Sequence, residues 1–363
     1  MAKTKKIYLL VGTYKGAFVF VSDRLRKNWV IKGPFLKESE VNDIIMDTRS
    51  KPVMYACANS SWFGPGFKIS EDRGKTWTDS KSGIRFEEGG DRKVARVWTV
   101  VAGTHGEPNV LYAGADPGAL FRTEDRGLTW TENTALSNHS TRQKWAPGAG
   151  GLMVHSICIN PKNPEEMYVG ISAAGVFHTA DGGKTWEARN KGVLADFNPE
   201  KYPEVGQCVH HLEMYPENPD VLYQQNHCGV YRTENGGKEW IDINKGLPSR
   251  FGFPIIVHPN DPDTIYVIPE EGAEFRSVSN ASFGIYRSRN KGGSWKKLSS
   301  GLPSKHAYVH VYRQATTADT LDRAGLYVGT SNGQIYYSTN DGDSWKLLGE
   351  NLPPIYSLSV TVV

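Results

Sequence analysis

Two sets of side chains in this sequence have the chemistry needed to move protons. Asp43 and Glu270 are carboxylates, and a pair of carboxylates on either side of a glycosidic oxygen is the usual arrangement for glycoside hydrolysis. His155, His210 and Tyr308 form the second set, because an imidazole or a phenol can remove or return a proton beside a sugar carboxylate. We interpret these five residues as the candidate catalytic groups.

Other side chains could hold a ligand beside these groups. Arg96 or Arg142 could neutralise an acidic sugar, since guanidinium groups pair with carboxylates. Aromatic rings offer a face on which a sugar ring stacks, and polar side chains offer the hydrogen bonds that its hydroxyls need. The predicted ligand-binding residues are Asn42, Arg96, Trp98, Arg142, Trp145, Tyr202, His211, His227, Glu271 and Tyr356.

Cysteine and histidine, which are ligands that zinc prefers, are concentrated between positions 208 and 228. Their spacing matches no zinc motif, and the neighbouring residues His210 and His211 point to opposite faces of a strand, so at most one of them could join the cysteines. We therefore predict no metal ligand and no cofactor, and leave open whether Cys208, His227 and Cys228 bind a metal. Four cysteines in 363 residues do not form a disulfide scaffold.

The chain that positions these residues is built from a repeat. Each copy has the form Ser/Thr-x-Asp/Asn-x-Gly-x-Ser/Thr/Glu-Trp. Its aspartate accepts backbone hydrogen bonds, its glycine adopts positive φ, and its tryptophan anchors the hairpin. The closing tryptophans are about 50 residues apart, a period that suits one four-stranded propeller blade. In a worn copy over 22–29, Leu25 takes the glycine position, which predicts a looser turn. The six good copies are 70–77, 123–130, 179–186, 233–240, 288–295 and 338–345.

The repeat resembles the Asp-box, or BNR, repeat of the sialidase-like propellers. That group includes sialidases, xyloglucan-cleaving endoglucanases, sortilin-type receptor domains and a photosystem II assembly factor. The resemblance covers the whole chain and implies that the Asp-box hairpins lie on the face opposite an active site. It does not imply a true sialidase, because the Arg-Ile-Pro signature is absent and seven blades are predicted where sialidases have six.

We predict an all-β fold with a single domain over residues 1–363. The segment 356–362 alternates like a strand and follows the last box, so it should complete the first blade and close the ring, which removes free sheet edges. The predicted blades are 7–35 with 355–363, then 41–80, 94–133, 152–189, 208–244, 252–299 and 306–348.

Charge and hydropathy exclude several classes of partner. A net charge of +3, evenly spread, does not indicate a nucleic-acid or membrane partner. The apolar segment 7–11 is too short for a signal peptide, so we expect a cytoplasmic protein.

The first functional hypothesis is a carbohydrate-active protein, a glycoside hydrolase-like enzyme or a sugar lyase, that binds a small carbohydrate or glycoside at one mouth of the central channel. The alternative is a non-catalytic propeller that binds a ligand or a protein partner. Long connections, at 80–92, 134–151, 190–207 and 269–282, favour a rim built on one face.

Overall fold

Each repeat forms one four-stranded antiparallel sheet. The computed structural model describes residues 5–87, 91–148 and 150–363, and within them the chain forms seven such sheets. The innermost strand of each sheet contacts the innermost strand of the next, and this ring closes between the last sheet and the first. The fold is a seven-bladed β-propeller, as the sequence predicts.

Blades 1 to 4 occupy the first half of the chain, except that blade 1 takes its innermost strand from the C-terminus. Blade 1 contains β1 (Lys6–Thr13), β2 (Gly16–Asp23) and β3 (Trp29–Phe35); blade 2, β4 (Glu40–Asp47), β5 (Val53–Ser60), β6 (Gly64–Ser70) and β7 (Thr78–Asp79); blade 3, β8 (Arg96–Ala102), β9 (Leu111–Asp116), β10 (Ala119–Thr123) and β11 (Thr131–Glu132); blade 4, β12 (Val154–Ile159), β13 (Met167–Ile171), β14 (Gly175–Thr179) and β15 (Glu187–Ala188).

Blades 5 to 7 follow the same order, and helix is confined to connections. Blade 5 contains β16 (Val209–Met214), β17 (Leu222–Asn226), β18 (Gly229–Thr233) and β19 (Ile241–Asp242); blade 6, β20 (Gly252–His258), β21 (Asp261–Pro269), β22 (Ile285–Ser288) and β23 (Lys296–Leu298); blade 7, β24 (Thr316–Ala318), β25 (Leu326–Gly329), β26 (Ile335–Ser338) and β27 (Lys346–Gly349); the closing strand is β28 (Ile355–Val362), and the helices are α1 (Thr134–Ser137) and 3₁₀ turns at Arg142–Lys144 and Ser279–Ala281. No helix among the described residues is long and apolar enough to cross a membrane.

The Asp box is a hydrogen-bonded turn, as its residue types predict. In blade 3, Asp125 accepts bonds from the Thr129 amide at 2.8 Å and from the Thr129 hydroxyl at 2.6 Å. The Thr123 hydroxyl donates to Asp125 and accepts from the amide of Gly127, whose φ is +88°. The indole of Trp130 then donates to the Gly127 carbonyl, which fixes the tryptophan beneath the hairpin.

The worn box of blade 1 differs from its prediction. Arg26, rather than Leu25, occupies the glycine position: its φ is +54°, and its carbonyl accepts the Trp29 indole at 3.1 Å. The turn is not loose, because the buried Arg26 guanidinium donates two hydrogen bonds, of 2.9 and 2.5 Å, to the buried carboxylate of Asp319 in blade 7. This ion pair compensates for the missing glycine and ties the first blade to the last.

The core lies between neighbouring blades. The second strand of each blade contributes one tyrosine, and each of these tyrosines is at least nine-tenths buried. Burying so large a side chain stabilises the fold by roughly 1.5–3 kcal/mol, so the seven rings are a repeated source of stability. These residues are Tyr8, Tyr55, Tyr112, Tyr168, Tyr223, Tyr266 and Tyr327.

The C-terminal strand closes the ring as predicted. β28 pairs with β1 in antiparallel register from Ile7 opposite Val362 to Thr13 opposite Ile355. Reciprocal amide–carbonyl bonds of 2.7 and 2.8 Å between Lys6 and Val363 complete the ladder. Both edges of blade 1's second strand are thereby paired.

Candidate functional site

A β-bulge recurs near the start of the innermost strand. In six blades the pairing register shifts at this point, which leaves an extra residue outside the ladder. A bulge re-aims a side chain, and five of the six bulge residues line the mouth of the channel, His155 being the exception. The six residues are Asn42, Trp98, His155, His210, Phe253 and Tyr356, the equivalent positions that the sequence predicts.

Blade 7 departs from the predicted alignment. The prediction places Tyr308 at the equivalent position, but this side chain is 65% exposed and lies outside the cavity at the mouth. Residues 306–312 alternate in sequence like a strand, yet they pack against the connection 269–282, where the Val278 amide donates to the Val309 carbonyl. The innermost strand begins only at Thr316, so Gln314 holds the position assigned to Tyr308.

The mouth forms a funnel with two adjoining lobes, of about 530 and about 140 Å³. Both lobes include Phe253, Arg276 and Arg313 in their walls. Three of the four long connections, 134–151, 190–207 and 269–282, line the larger lobe, a size suited to a small ligand. Asn42, Arg96, Trp98 and Tyr356 line the smaller lobe, and His210 and His227 line the larger, so six predicted site residues come together here.

His310 and Glu270 form a buried dyad at the smaller lobe. Both Glu270 carboxylate oxygens lie 2.8 Å from Nδ1 of His310, and one also accepts the Val311 amide at 3.0 Å. Glu270 is fully buried, whereas His310 lines the lobe. In the neutral ring a donating Nδ1 leaves Nε2 unprotonated, and Nε2 is buried with no hydrogen-bond partner among the described residues. A neutral His310 in this arrangement is a candidate base.

Arginines give the funnel a cationic lining. Arg96, Arg276 and Arg313 all line the smaller lobe. Arg313 is buried, donates to the Ser172 hydroxyl at 2.8 Å, and has no carboxylate partner among the described residues. Its guanidinium carbon lies 5.4 Å from the Trp98 ring centroid, and burial lowers the pKa of Arg313 to about 10. An unpaired buried cation is costly unless a ligand supplies negative charge.

His155 and His210 tie neighbouring blades together. His155 Nε2 donates to the Val209 carbonyl at 2.9 Å, and His210 Nδ1 donates to the Gly252 carbonyl at 2.6 Å. Burial lowers the pKa of both histidines well below the usual range, so both rings are neutral. The other nitrogen of His155 lies 2.9 Å from the Ser156 hydroxyl, and His155 does not line the funnel. Nε2 of His210 has no hydrogen-bond partner within the described ranges, and His210 lines the larger lobe.

Asp43 lies between blades 2 and 3 instead of facing the funnel. One carboxylate oxygen accepts the Thr99 hydroxyl at 2.8 Å and the Val100 amide at 3.0 Å, and the other accepts its neighbour's amide. Burial raises the pKa of Asp43 to about 6. Asp43 follows the bulge residue Asn42, and its side chain points to blade 3. Its hydrogen bonds to Thr99 and Val100 connect blade 2 with blade 3.

Five other predicted residues also lie outside the funnel. Trp145 is in the core, where its indole donates to Thr141 at 3.0 Å and the guanidinium of Arg142 stacks on its ring. His211 faces the opposite side of β16 from His210 and lies 3.2 Å from Glu213. The remaining two are the exposed rim residues Tyr202 and Glu271.

The sequence reasoning missed His310, Tyr312, Arg313 and Gln314. A signal was present: Val309 and Val311 alternate with His310 and Tyr312, and a period of two indicates one buried and one presented face. The predicted innermost strand of blade 7 starts within this alternation, at Tyr308, whereas the observed strand starts at Thr316, so the prediction does not include the polar face.

The rim carries the exposed aromatic side chains. All seven aromatic residues that are strongly exposed in the described chain lie in loops between second and third strands or in connections between blades, and both kinds of loop open on the funnel face. Trp62 and Phe63 are the most exposed, at 88% and 83%. The others are Tyr14, Phe197, Tyr202, Phe275 and Tyr308.

Comparison with known proteins supports the architecture. Residues 228–353 match the Sortilin-Vps10 family, described as sortilin, neurotensin receptor 3. The chain is 26% identical over 278 residues to a probable oligoxyloglucan-reducing end-specific xyloglucanase of Neosartorya fischeri, an alignment that covers 68% of this chain and 31% of that protein. It thus spans about a third of the length of the curated relatives that it matches.

Two solved structures resemble the fold. The GH74 enzyme of Niastella koreensis superposes with a TM-score of 0.58 at 16% identity, covering 96% of this chain and 65% of that one. YCF48 bound to D1 peptide gives a TM-score of 0.56 at 15% identity, covering 85% and 81%. Together with the repeats and the closed ring, these likenesses identify the chain as a seven-bladed β-propeller of the Asp-box, or BNR, type.

Proposed function

We propose that the funnel binds an acidic carbohydrate and that His310, held by Glu270, removes a proton next to the sugar carboxylate. The observation that carries the proposal is that three arginines line one lobe together with His310, whose Nδ1 is held by Glu270 and whose Nε2 has no hydrogen-bond partner in the described part of the chain. The xyloglucanase relatives support carbohydrate as the ligand class.

The distribution of charge favours an anionic ligand. Among the described residues that line the two lobes, Glu274 is the one carboxylate, whereas Lys144 and three arginines supply positive charge. Guanidinium groups bind carboxylates through two parallel hydrogen bonds, so Arg313 and Arg276 suit the carboxylate of a uronic acid. Trp98 and Tyr356 provide ring faces in the same lobe.

Proton abstraction fits the funnel better than two-carboxylate hydrolysis. Hydrolysis needs two carboxyl groups that flank the glycosidic oxygen. Asp43 is used between blades and Glu270 is used by His310, so neither faces a ligand. The sequence also allowed a second scheme, in which a histidine and a tyrosine act beside a sugar carboxylate. The meeting of His310, Tyr312 and Tyr356 in the smaller lobe supports this scheme, with His310 as the base in place of His155 or His210.

In the proposed step, Nε2 of His310 takes the proton from the carbon bearing the carboxylate. The electron pair left behind forms a C=C bond as the neighbouring C–O bond to the glycosidic oxygen breaks. Tyr312 or Tyr356 protonates the departing oxygen, because burial raises the pKa of both phenols and keeps them protonated. Proton transfer from His310 to the tyrosinate then restores the starting state. The products are an unsaturated uronate and a free hydroxyl, with no external oxidant or reductant.

The aromatic rim favours a ligand that extends beyond one sugar. Trp62, Phe63 and Phe275 surround the mouth with exposed rings, which could stack on successive sugars of a chain. The same rings favour a second candidate, a protein partner, since Tyr, Trp and Phe are enriched in protein interfaces. The YCF48 structure with a bound peptide has this fold and is consistent with the second candidate.

A panel of uronate-containing and neutral oligosaccharides tests the proposal. Ultraviolet absorbance reports the double bond of the product, which is conjugated with the carboxylate. We expect turnover of acidic substrates by wild type and by His211→Gln, and its loss in His310→Ala. Cleavage of neutral glycosides without unsaturated product would contradict the proposal, and so would capture of a defined protein partner with no glycan bound.

A further inference from the structure

We propose that Cys208, His210 and His227 form a binding site for a divalent metal of the zinc class in the wall of the larger lobe. One ligand atom from each of these three residues lies within 4.8 Å of the other two. Tetrahedral zinc with a thiolate and two imidazoles needs separations of about 3.4–3.6 Å, so small side-chain rotations would close the set around an ion.

The backbone of blade 5 builds this triad. Cys208 precedes β16 and His210 is the bulge residue two positions on, and their side chains lie together at the start of the strand. The hairpin between β17 and β18 brings His227 to the same place, and its amide donates to the Cys208 carbonyl at 2.9 Å. Three ligands thus come from two adjacent strand ends joined by a backbone hydrogen bond.

Nδ1 of His210 makes the kind of outer hydrogen bond that metal-binding histidines make with the nitrogen that does not bind the metal. Nδ1 donates to the Gly252 carbonyl at 2.6 Å, which directs the unprotonated Nε2 toward the lobe. Such an outer hydrogen bond fixes the tautomer and the ring orientation of a metal ligand. The ring also stacks on Phe253, with centroids 4.3 Å apart and planes 9° apart, so the imidazole is held rigidly.

The fourth coordination position would be open. The three ligands line the larger lobe together with Arg276 and Arg313, so a water molecule or a ligand oxygen would complete the tetrahedron. Glu274, in the same lobe, supplies negative charge near His227, and Asp196 lies near it as well. The site does not depend on the proposed reaction, because metal binding can be measured without substrate.

Cys228 offers a matched control. It lies beside His227 and is the second cysteine between positions 208 and 228. Its thiol donates to Asp196 at 3.0 Å and is not part of the triad. Conversion of Cys228 to serine keeps a hydroxyl donor there and leaves all three proposed ligands in place.

The test is titration of chelator-treated, full-length protein with Co²⁺ and then Zn²⁺. We expect about one Co²⁺ per chain, with a thiolate-to-cobalt charge-transfer band that Zn²⁺ abolishes, and one proton released per Zn²⁺. Cys208→Ser should lose the band, and its zinc affinity should fall by at least about 10²-fold, whereas Cys228→Ser should match wild type. His227→Gln, at the hairpin tip, provides a second variant if Cys208→Ser does not fold.

Absence of stoichiometric metal and of the cobalt band in wild type would overturn the site. So would an unchanged zinc affinity in Cys208→Ser or in His227→Gln. Neither result would bear on sugar binding, and loss of turnover in His310→Ala would not bear on the metal.

Discussion

Glu270 places both of its carboxylate oxygens 2.8 Å from Nδ1 of His310, although 40 residues separate the two in the chain. The carboxylate is fully buried and the imidazole faces the funnel, so the pair sets the tautomer of the proposed base. Glu270→Gln would offer an amide in place of this acceptor. We expect kcat to fall by about 10²-fold or more, with KM little changed, because base catalysis contributes about 10²–10⁴-fold.

Separate measurement of kcat, KM and the melting temperature of Glu270→Gln distinguishes a role in positioning His310 from a role in stabilising the fold. A fall in kcat with an unchanged melting temperature supports positioning of His310 by Glu270. Equal losses of activity and of folded protein, with full activity per folded molecule, would contradict it.

Arg313 should be important for binding and dispensable for stability. It is a buried cation without a carboxylate partner among the described residues, so Arg313→Gln removes a desolvation cost. We expect the free energy of unfolding to stay constant or rise, and affinity for an acidic oligosaccharide to fall about 10- to 100-fold, as for the loss of a hydrogen bond to a charged group. Urea denaturation and calorimetry measure the two quantities. Strong destabilisation with unchanged affinity would show that Arg313 is structural.

Ring closure depends in part on the ion pair between Arg26 and Asp319. Asp319→Asn leaves the guanidinium without its counter-charge, and breaking one partner of a buried pair costs about 3–5 kcal/mol. Replacing both residues, as Arg26→Met with Asp319→Leu, should cost less than the two single changes together, because no buried charge remains. Urea denaturation of wild type, Arg26→Met, Asp319→Leu and the double variant gives the coupling free energy. Additive single and double effects would mean that the pair does not connect the blades.

Asp43 should make stability depend on pH in an unusual direction. Burial raises the pKa of Asp43 to about 6 from 3.8 in the unfolded chain, so the folded state holds a proton that the unfolded state loses first. The stabilisation is present below pH 4 and is lost as pH rises through 6, a change of about 3 kcal/mol.

The comparison with Asp43→Asn isolates this contribution from that of the buried histidines, which act in the opposite direction. The unfolding free energy of wild type minus that of Asp43→Asn should be larger at pH 4 than at pH 7.5. An equal difference at both values would mean that Asp43 is ionised throughout.

The sequence predicts the scaffold well because the repeat encodes it locally. The Asp-box turns, the tyrosine of each second strand and the final alternating strand each depend on a few neighbouring residues. Equivalent positions in six blades therefore identify the six bulge residues, five of which line the mouth. The direction of a side chain is harder to predict from the sequence than the strand it belongs to. Asn42 is a bulge residue and Asp43 follows it, and the alternation of one strand does not reveal which of these two side chains faces the funnel.

Blade 7 shows where local pattern fails. The alternation over 306–312 satisfies the strand signal, but this segment packs against the connection 269–282, and only tertiary packing decides between this contact and a sheet. The pairing of Glu270 with His310 and the meeting of Cys208 with His227 likewise join distant segments. Their residue types are visible in the sequence, whereas their distances are not.

Calorimetric titration of the wild-type protein with a uronic-acid oligosaccharide, beside the same oligosaccharide with its carboxylates reduced to alcohols, tests the central claim most directly. We predict saturable binding of the acidic form, weakened by salt, and at least tenfold weaker binding of the reduced form. Equal affinity for the two forms, or binding of neither, would contradict an arginine-lined site for acidic sugars.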